Sequence, residues 1–283
     1  MSNFFTKARP RPHPLVLAAS LFAATMPLAC GSTAAAAADM PMKAAAAPAP
    51  AVYNWTGCYV GANGGGAASS SNFTTTVDPG SHLTPANASI VSGDGTGSMN
   101  SSNFLGGGQA GCNWQSGTLV YGLEGDLDYF HSKSQFINPF DTLSDGVTPF
   151  IVTQSLTTDF LATVRPRIGI AADRNLAYIT GGVAFTSASH TQTYADTAGP
   201  PLAPAAGTGS ATGSKFLTGW TAGAGWEYAW TDHWTFKAEY LFAMFGTINA
   251  SGVITDAGGE TNPPHGSADL TMQIIRAGVN YKF

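Results

Sequence analysis

The last eleven residues, Gln273-Ile-Ile-Arg-Ala-Gly-Val-Asn-Tyr-Lys-Phe283, restrict the architecture more than any other stretch of the chain. In steps of two, Gln273, Ile275, Ala277, Val279, Tyr281 and Phe283 share one face, and Ile274, Arg276, Gly278, Asn280 and Lys282 share the other. A period of two means a β-strand, because successive side chains of a strand point to opposite sides. One face is mostly apolar and the other mostly polar. The sequence ends on Phe283, and a long amphipathic strand so placed is expected to pair on both sides, since an open edge templates aggregation. A closed barrel removes the edge.

Composition narrows the setting of such a barrel. The 283 residues include only 12 Lys plus Arg and 17 Asp plus Glu, where an average globular chain has about 25% charged residues. The 34 glycines suit tight turns and close-packed strands rather than helices. A net charge of -5 gives no reason to expect nucleic acid as a partner. Beyond the N-terminal segment no run of 18 apolar residues occurs, which argues against membrane-spanning helices.

Residues 1–38 read as an export signal. Lys7, Arg9 and Arg11 form the positive start, Leu15 to Ala29 the apolar core, and Ala36-Ala37-Ala38 a cleavage site of small residues. The apolar run is too short for an anchor and contains Pro27. Cleavage after Ala38 would remove Cys30. Residues 39–52, rich in Ala and Pro, cannot build a core and read as a periplasmic spacer.

Residues 53–283 carry eight amphipathic segments: Trp55–Ala67, Asn103–Gln115, Leu119–Phe130, Thr157–Ala171, Asn175–Ser187, Lys215–Trp230, His233–Ile248 and Ala268–Phe283. Their connections alternate between tight turns (Ser116-Gly117-Thr118, Asp173-Arg174, Thr231-Asp232) and long stretches rich in Ser, Thr, Gly, Asn and Pro. Strands of about 10 residues with short turns at one end and long loops at the other are what a transmembrane barrel requires. The fold expected is therefore all-β, an eight-stranded antiparallel up-and-down transmembrane β-barrel with four long extracellular loops. An even strand number leaves both termini on the periplasmic side.

The alternation supports an apolar exterior. Tyr121, Leu123, Leu127 and Tyr129 oppose Glu124, Asp126 and Asp128; Phe236, Ala238, Tyr240 and Phe242 oppose Lys237 and Glu239. The interior of eight strands is too narrow for so many aromatics. Pro166 lacks a ladder donor, so a bulge or bend is expected there. Trp55, Trp114, Trp230 and Trp234 fall at strand ends on the short-turn side, where indole rings favour the headgroup level.

Asn54-Trp-Thr-Gly57, Gly106-Gly-Gly-Gln-Ala-Gly111, Gly122-Leu-Glu-Gly-Asp126, Val164-Arg-Pro-Arg-Ile-Gly169, Lys237-Ala-Glu-Tyr240 and Arg276-Ala-Gly-Val-Asn-Tyr-Lys-Phe283 are the motifs of a family. The chain resembles the small outer-membrane immunogenic proteins of alphaproteobacteria, of the opacity-porin type. The likeness runs from Trp55 to Phe283 apart from the long loops. It implies an outer-membrane barrel with antigenic surface loops and a structural, envelope-integrity role; some relatives are described as porins. The aromatic-ended last strand, with Tyr281 and Phe283, resembles the assembly signal read by the barrel-assembly machinery. Outer-membrane lipid and lipopolysaccharide are the other partners implied. The chain departs from the family pattern at Cys58 and Cys112, where aromatics are expected, and in its long first loop.

Chemistry is sparse. Gly106-x-Gly-x-x-Gly111 matches a dinucleotide fingerprint, but no helix follows it, so no cofactor is assigned. Glu124, Asp126, Asp128, Glu227 and Glu239 face inward with Arg165, Arg167, Lys237, Arg276 and Lys282. Unpaired charge in so narrow a space is costly, so a paired network is expected that plugs the barrel; a narrow ion path through it is the alternative. His82, His131, His190 and His265 fall in or beside the long loops without metal-ligand spacing, and no metal site is assigned. No nucleophile pairs with a base, so an enzyme is not expected. Pairing Trp55 with Gln115 sets Cys58 opposite Cys112, within disulfide reach in the oxidising periplasm. A bridge and two free thiols filling aromatic positions both remain open at this point. The function expected is structural and surface-facing, with a small porin as the alternative and a loop-based enzyme or adhesin behind it.

Overall fold

The computed structural model describes residues 53–138, 141–197 and 206–283. The expected export signal and spacer lie outside the described residues. The element order is β1 (Gly57–Val77), α1 (Pro85–Asp94), β2 (Gly97–Ser116), β3 (Leu119–Ile137), β4 (Asp141–Thr142), β5 (Pro149–Ala172), β6 (Asn175–Asp196), β7 (Gly207–Ala229), β8 (Trp234–Asp256), β9 (Thr261–Asn262) and β10 (Pro264–Lys282). β4 and β9 are two-residue ladders on β5 and β8. The other eight strands form one antiparallel ring in the order β10-β1-β2-β3-β5-β6-β7-β8, and β8 pairs β10 to close it. The last strand therefore has a partner on each side, as its sequence requires.

The strands are longer than the sequence suggests. They run from 19 to 24 residues, about twice the ten or so that cross a bilayer. What reads as long loops is largely the same barrel continuing. In β1, Ser69-Ser70-Ser71-Asn72 offers no contrast in polarity between faces, so periodicity cannot reveal it. Pairing supplies the order instead: Ser70 lies opposite Asn100 and Thr271, and Phe73 opposite Ala268.

The outer surface changes character along the strands. Near the short turns it carries Val60, Tyr121, Leu123, Ile168, Ile179 and Tyr240, all exposed. Farther out it presents Ser70, Asn72, Thr74, Lys133, Thr193 and Ser251. An apolar belt at one end and a polar wall at the other place the first in lipid and the second in water.

The first long connection folds into α1. Thr84 caps it, its hydroxyl accepting from the Asn87 N–H at 3.4 Å, and Pro85 occupies the first turn, where no amide partner is lost. Ala88 and Val91 bury against Leu143, Phe150, Val152 and Ile254. The helix so covers the loop end of the barrel.

Two local expectations are corrected. β5 keeps its register through Pro166, opposite Leu123 on β3, so no bulge forms there; on the β6 side the ladder lacks pairs at Arg165 and Pro166, and the register shift falls between Thr158 and Ala162. Pro166 faces outward, and its carbonyl accepts from the Thr180 hydroxyl at 2.9 Å. Trp55 is not an interfacial indole. It is 1% exposed and packs inside the lower mouth with Tyr53, Val120, Leu176 and Tyr178. Trp114, Trp230 and Trp234 do stand on the outer surface.

Candidate functional site within the barrel lumen

Strand parity lays the inward side chains down in layers. Along β3, Val120 belongs to the lower apolar cluster, Glu124, Asp126 and Asp128 to a charged layer, and Phe130 to an apolar layer above it. Along β8 the same succession reads Thr235, Lys237, Glu239, then Leu241, Ala243 and Phe245. Above this layer Gln154, His190 and Gln192 form a polar step, and the α1 cluster closes the top.

Register assembles the charged layer. Glu124 lies opposite Arg165, Glu239 opposite Arg276, and Glu227 opposite Lys237 on adjoining strands. Opposite charges in cross-strand pairs are favourable, and long side chains extend the contacts across the lumen. Arg165 Nη2 donates to Glu124 at 2.9 Å and to Asp126 at 2.7 Å. Arg276 donates to Asp128 at 2.6 Å, to Asp126 at 2.9 Å and, through Nε, to Glu239 at 2.9 Å. Lys237 reaches Glu124 at 2.7 Å, and Arg167 reaches Glu227 at 3.1 Å. All nine of these side chains are buried.

Neutral groups complete the network. Tyr59 donates to Glu124 at 2.6 Å, Tyr178 to Glu239 at 3.0 Å, Thr163 to Asp126 at 2.7 Å, and Thr235 and Asn280 to Glu227 at 2.5 and 2.9 Å. Sequence reasoning left these five out because hydroxyls and amides carry no charge to mark them. Their inward parity beside charged neighbours was the available signal.

Lys282 stands apart, which corrects its expected place in the network. Its amine donates to the Asn54 carbonyl and lies 4.3 Å from the Tyr53 ring centre, at the short-turn rim. Two residues beyond Asn280, the last β10 side chain to reach a network carboxylate, it meets backbone and an aromatic face instead.

Cys58 lies opposite Cys112 in the register that pairs β1 with β2, and their sulfurs are bonded. Nearby, the Trp55 N–H donates to the Gln115 side chain at 2.7 Å. Tyr281 and Phe283 lie on the outer face of β10, their rings 5.7 Å apart. The four loop histidines do not gather. His131 and His265 are exposed, His190 bonds Gln154 at 2.9 Å, and His82 is buried beneath the cap with Asp196 at 2.9 Å. Tyr194 donates to the same Asp196 at 2.6 Å. Burial, with that hydrogen bond to a carboxylate, pushes the Tyr194 phenol well above its ordinary range.

The ring of eight strands, the apolar belt and the charged lumen agree with the comparisons to known proteins. The outer membrane protein beta-barrel domain family matches residues 17–283. The chain belongs to that family. A 31 kDa outer-membrane immunogenic protein of Brucella melitensis is 31% identical over 82% of this chain and 85% of its own length. A 25 kDa outer-membrane immunogenic protein of Brucella abortus is 29% identical over 66% of this chain and 69% of its own. Among solved structures, the outer membrane protein OprG of Pseudomonas aeruginosa matches 82% of this chain and 98% of its own, at 12% identity and a TM-score of 0.42. This family member is an outer-membrane β-barrel of a Gram-negative bacterium, and its named relatives are immunogenic proteins rather than enzymes.

Proposed function

We propose that the protein is a closed structural barrel that strengthens the outer membrane and presents a tall, rigid surface to the outside. The observation that carries this reading is the layered lumen. An apolar cluster around Trp55, a buried charged layer, an apolar layer and the α1 cap stack along the axis. Ions crossing would have to displace packed apolar side chains three times and break buried pairs once, and each step is costly.

Deleting the protein from its host tests the reading. Greater sensitivity to detergent, with unchanged uptake of small hydrophilic solutes, is the expected result. Slower solute uptake with an intact detergent barrier would favour the porin reading instead. The polar outer wall and the antigenic naming of the relatives support surface recognition by antibody. The last strand, with Tyr281 and Phe283, is read as the segment that engages the assembly machinery, and the outer belt as the surface that meets lipid and lipopolysaccharide.

A further inference from the structure

Every strand of the ring is tall, but few of its ladders run the full height. β2 and β3 pair only as far as Gly106 and Tyr129, although the strands continue to Gly97 and Ile137. Register shifts between Tyr129 and Ser132 on the β3–β5 ladder and between Thr158 and Ala162 on β5–β6. It shifts again between Thr212 and Gly219 on β7–β8 and between Ala268 and Leu270 on β10–β8. These breaks share one level. Tyr129 pairs with Phe160, and Ala188 of β6 pairs with Thr158 on one side and Lys215 on the other. Among the described residues only β10–β1, β1–β2 and β6–β7 keep one register through it. The wall so divides into a membrane section below and a collar above, with the ladder weakened between them.

A hydrogen-bonded chain crosses the inside of the collar. The Thr75 hydroxyl donates to the Gly95 carbonyl at 2.6 Å, and the Gln154 amide nitrogen donates to Thr75 at 2.7 Å and to Gly95 at 3.3 Å. A carbonyl only accepts, so Gln154 must turn its nitrogen to this pair and its oxygen to His190. His190 Nε2, 2.9 Å from that oxygen, therefore carries the ring proton. Nδ1 keeps a lone pair, with no hydrogen-bond partner among the described residues, and the side chain is fully buried.

A second proton there would meet no counter-charge. Tyr194 and Asp196 lie farther along β6 and belong to the cap, with His82 and Asp256. Asp94, at the end of α1, turns to Asn138 and Asp141. Asp128 and its charged neighbours lie beneath the apolar layer. His131, Lys133, Asp159, Lys215, His265 and Asp269 stand on the outer face. Gln192 offers only a neutral oxygen. A Cβ placed on Gly266 would lie 2.8 Å from Gln192 Oε1 and 3.6 Å from His190 Nδ1, so both side chains reach the same spot on β10.

We propose that proton uptake at His190 Nδ1 opens the collar while the membrane section stays closed. A buried imidazolium without a carboxylate is costly, and the ring of register breaks confines the response to the section above it. Burial holds the His190 imidazole below its ordinary value. Above that ordinary value, near 6.5, the ring is neutral whether the collar is closed or open, and the collar keeps its full stability. Below it the open form takes the proton first. Opening then grows up to about tenfold per pH unit until the folded value is reached.

The test is hydrogen exchange on the full mature barrel, refolded in lipid vesicles, from about pH 7.5 to about pH 5 with correction for the intrinsic rate. Collar amides of residues 191–195 are expected to open up to about tenfold more for each pH unit below about 6.5. Amides of residues 178–183, in the membrane section, should show no such rise. His190→Gln replaces the ring with a neutral amide and should abolish the acid response. His82→Asn alters the cap, leaves His190 in place and should keep the response; it remains informative if His190→Gln does not fold. A response that persists in His190→Gln would overturn the proposal and assign the effect to the cap carboxylates. Loss of the response in His82→Asn would overturn it too. So would equal acid opening of both sections, or collar amides indifferent to pH in the wild type.

Discussion

Arg276 holds Asp128 at 2.6 Å from the far end of the chain, 148 residues away in sequence, and joins the last strand of the barrel to the third across the lumen. The same guanidinium also reaches Asp126 and Glu239. Replacing Arg276 with Met therefore leaves three carboxylates under-compensated. Loss of one partner from a buried pair costs about 3–5 kcal/mol. Lys282→Met, at the half-buried rim, should cost no more than about 1 kcal/mol. Urea unfolding in vesicles compares the two variants directly, and similar losses would contradict the assignment of one to the lumen and the other to the rim.

The disulfide joins Cys58 to Cys112, 54 positions apart in sequence, and the segment between them contains the capping helix. Mature protein, denatured without reductant, should label at neither thiol. By the chain-entropy account a loop of this size is worth about 4 kcal/mol. Cys58→Ser/Cys112→Ser should still fold, with a lower urea midpoint that no longer responds to reductant. Two labelled thiols in the untreated protein would refute the bridge.

How much of this was legible in the sequence differs between the two halves of the barrel. In the half carrying the apolar belt, Leu123 next to Glu124 and Phe236 next to Lys237 mark their faces by contrast, so strand parity and the charged layer could be read. The register of Cys58 with Cys112 followed from the same reasoning. In the outer half, Ser, Thr, Asn and Gly dominate the wall. There the ladder hydrogen bonds to neighbouring strands decide the conformation, and no property of a single segment reports them. Trp55 misled for another reason. Tryptophan suits both an interface and a narrow plug, and only the inward parity of position 55, with Tyr59 and Asn63 following on the same side, separates the two.

Trp55 fills the lower mouth, so Trp55→Ala should cost about 3–5 kcal/mol, while Trp230→Ala on the outer surface should cost less. Fluorescence offers a second readout. The Trp55 contribution should resist both aqueous and lipid-borne quenchers, whereas that of Trp230, 63% exposed on the belt side, should yield to the lipid-borne one.

The outer walls should behave as strand rather than loop in hydrogen exchange. Amides of residues 70–77 and 191–195, which pair along β1 and β6, are expected to exchange far more slowly than those of the turn Asp145–Gly146. Rapid exchange throughout residues 70–77 would show that the barrel ends at the membrane.

The cap has a pH signature. Tyr194 is buried and donates to Asp196, so its folded-state phenol titrates above the ordinary value near 10. A raised phenol contributes stability that is complete below about pH 10 and is lost as pH climbs toward the folded value. Folded wild type and Tyr194→Phe should therefore give the same tyrosinate absorbance around pH 10. After unfolding the two should differ by the ionised fraction of one tyrosine, about half at that pH. The same difference in the folded proteins would mean that the cap is open to solvent.

Single-channel recording on the refolded barrel in a planar bilayer tests the closed lumen most directly. The expected result is insertion, verified by retarded mobility on heating, with no resolvable conductance steps in molar salt. Stable steps from wild-type protein would contradict the layered plug and make the protein a narrow pore.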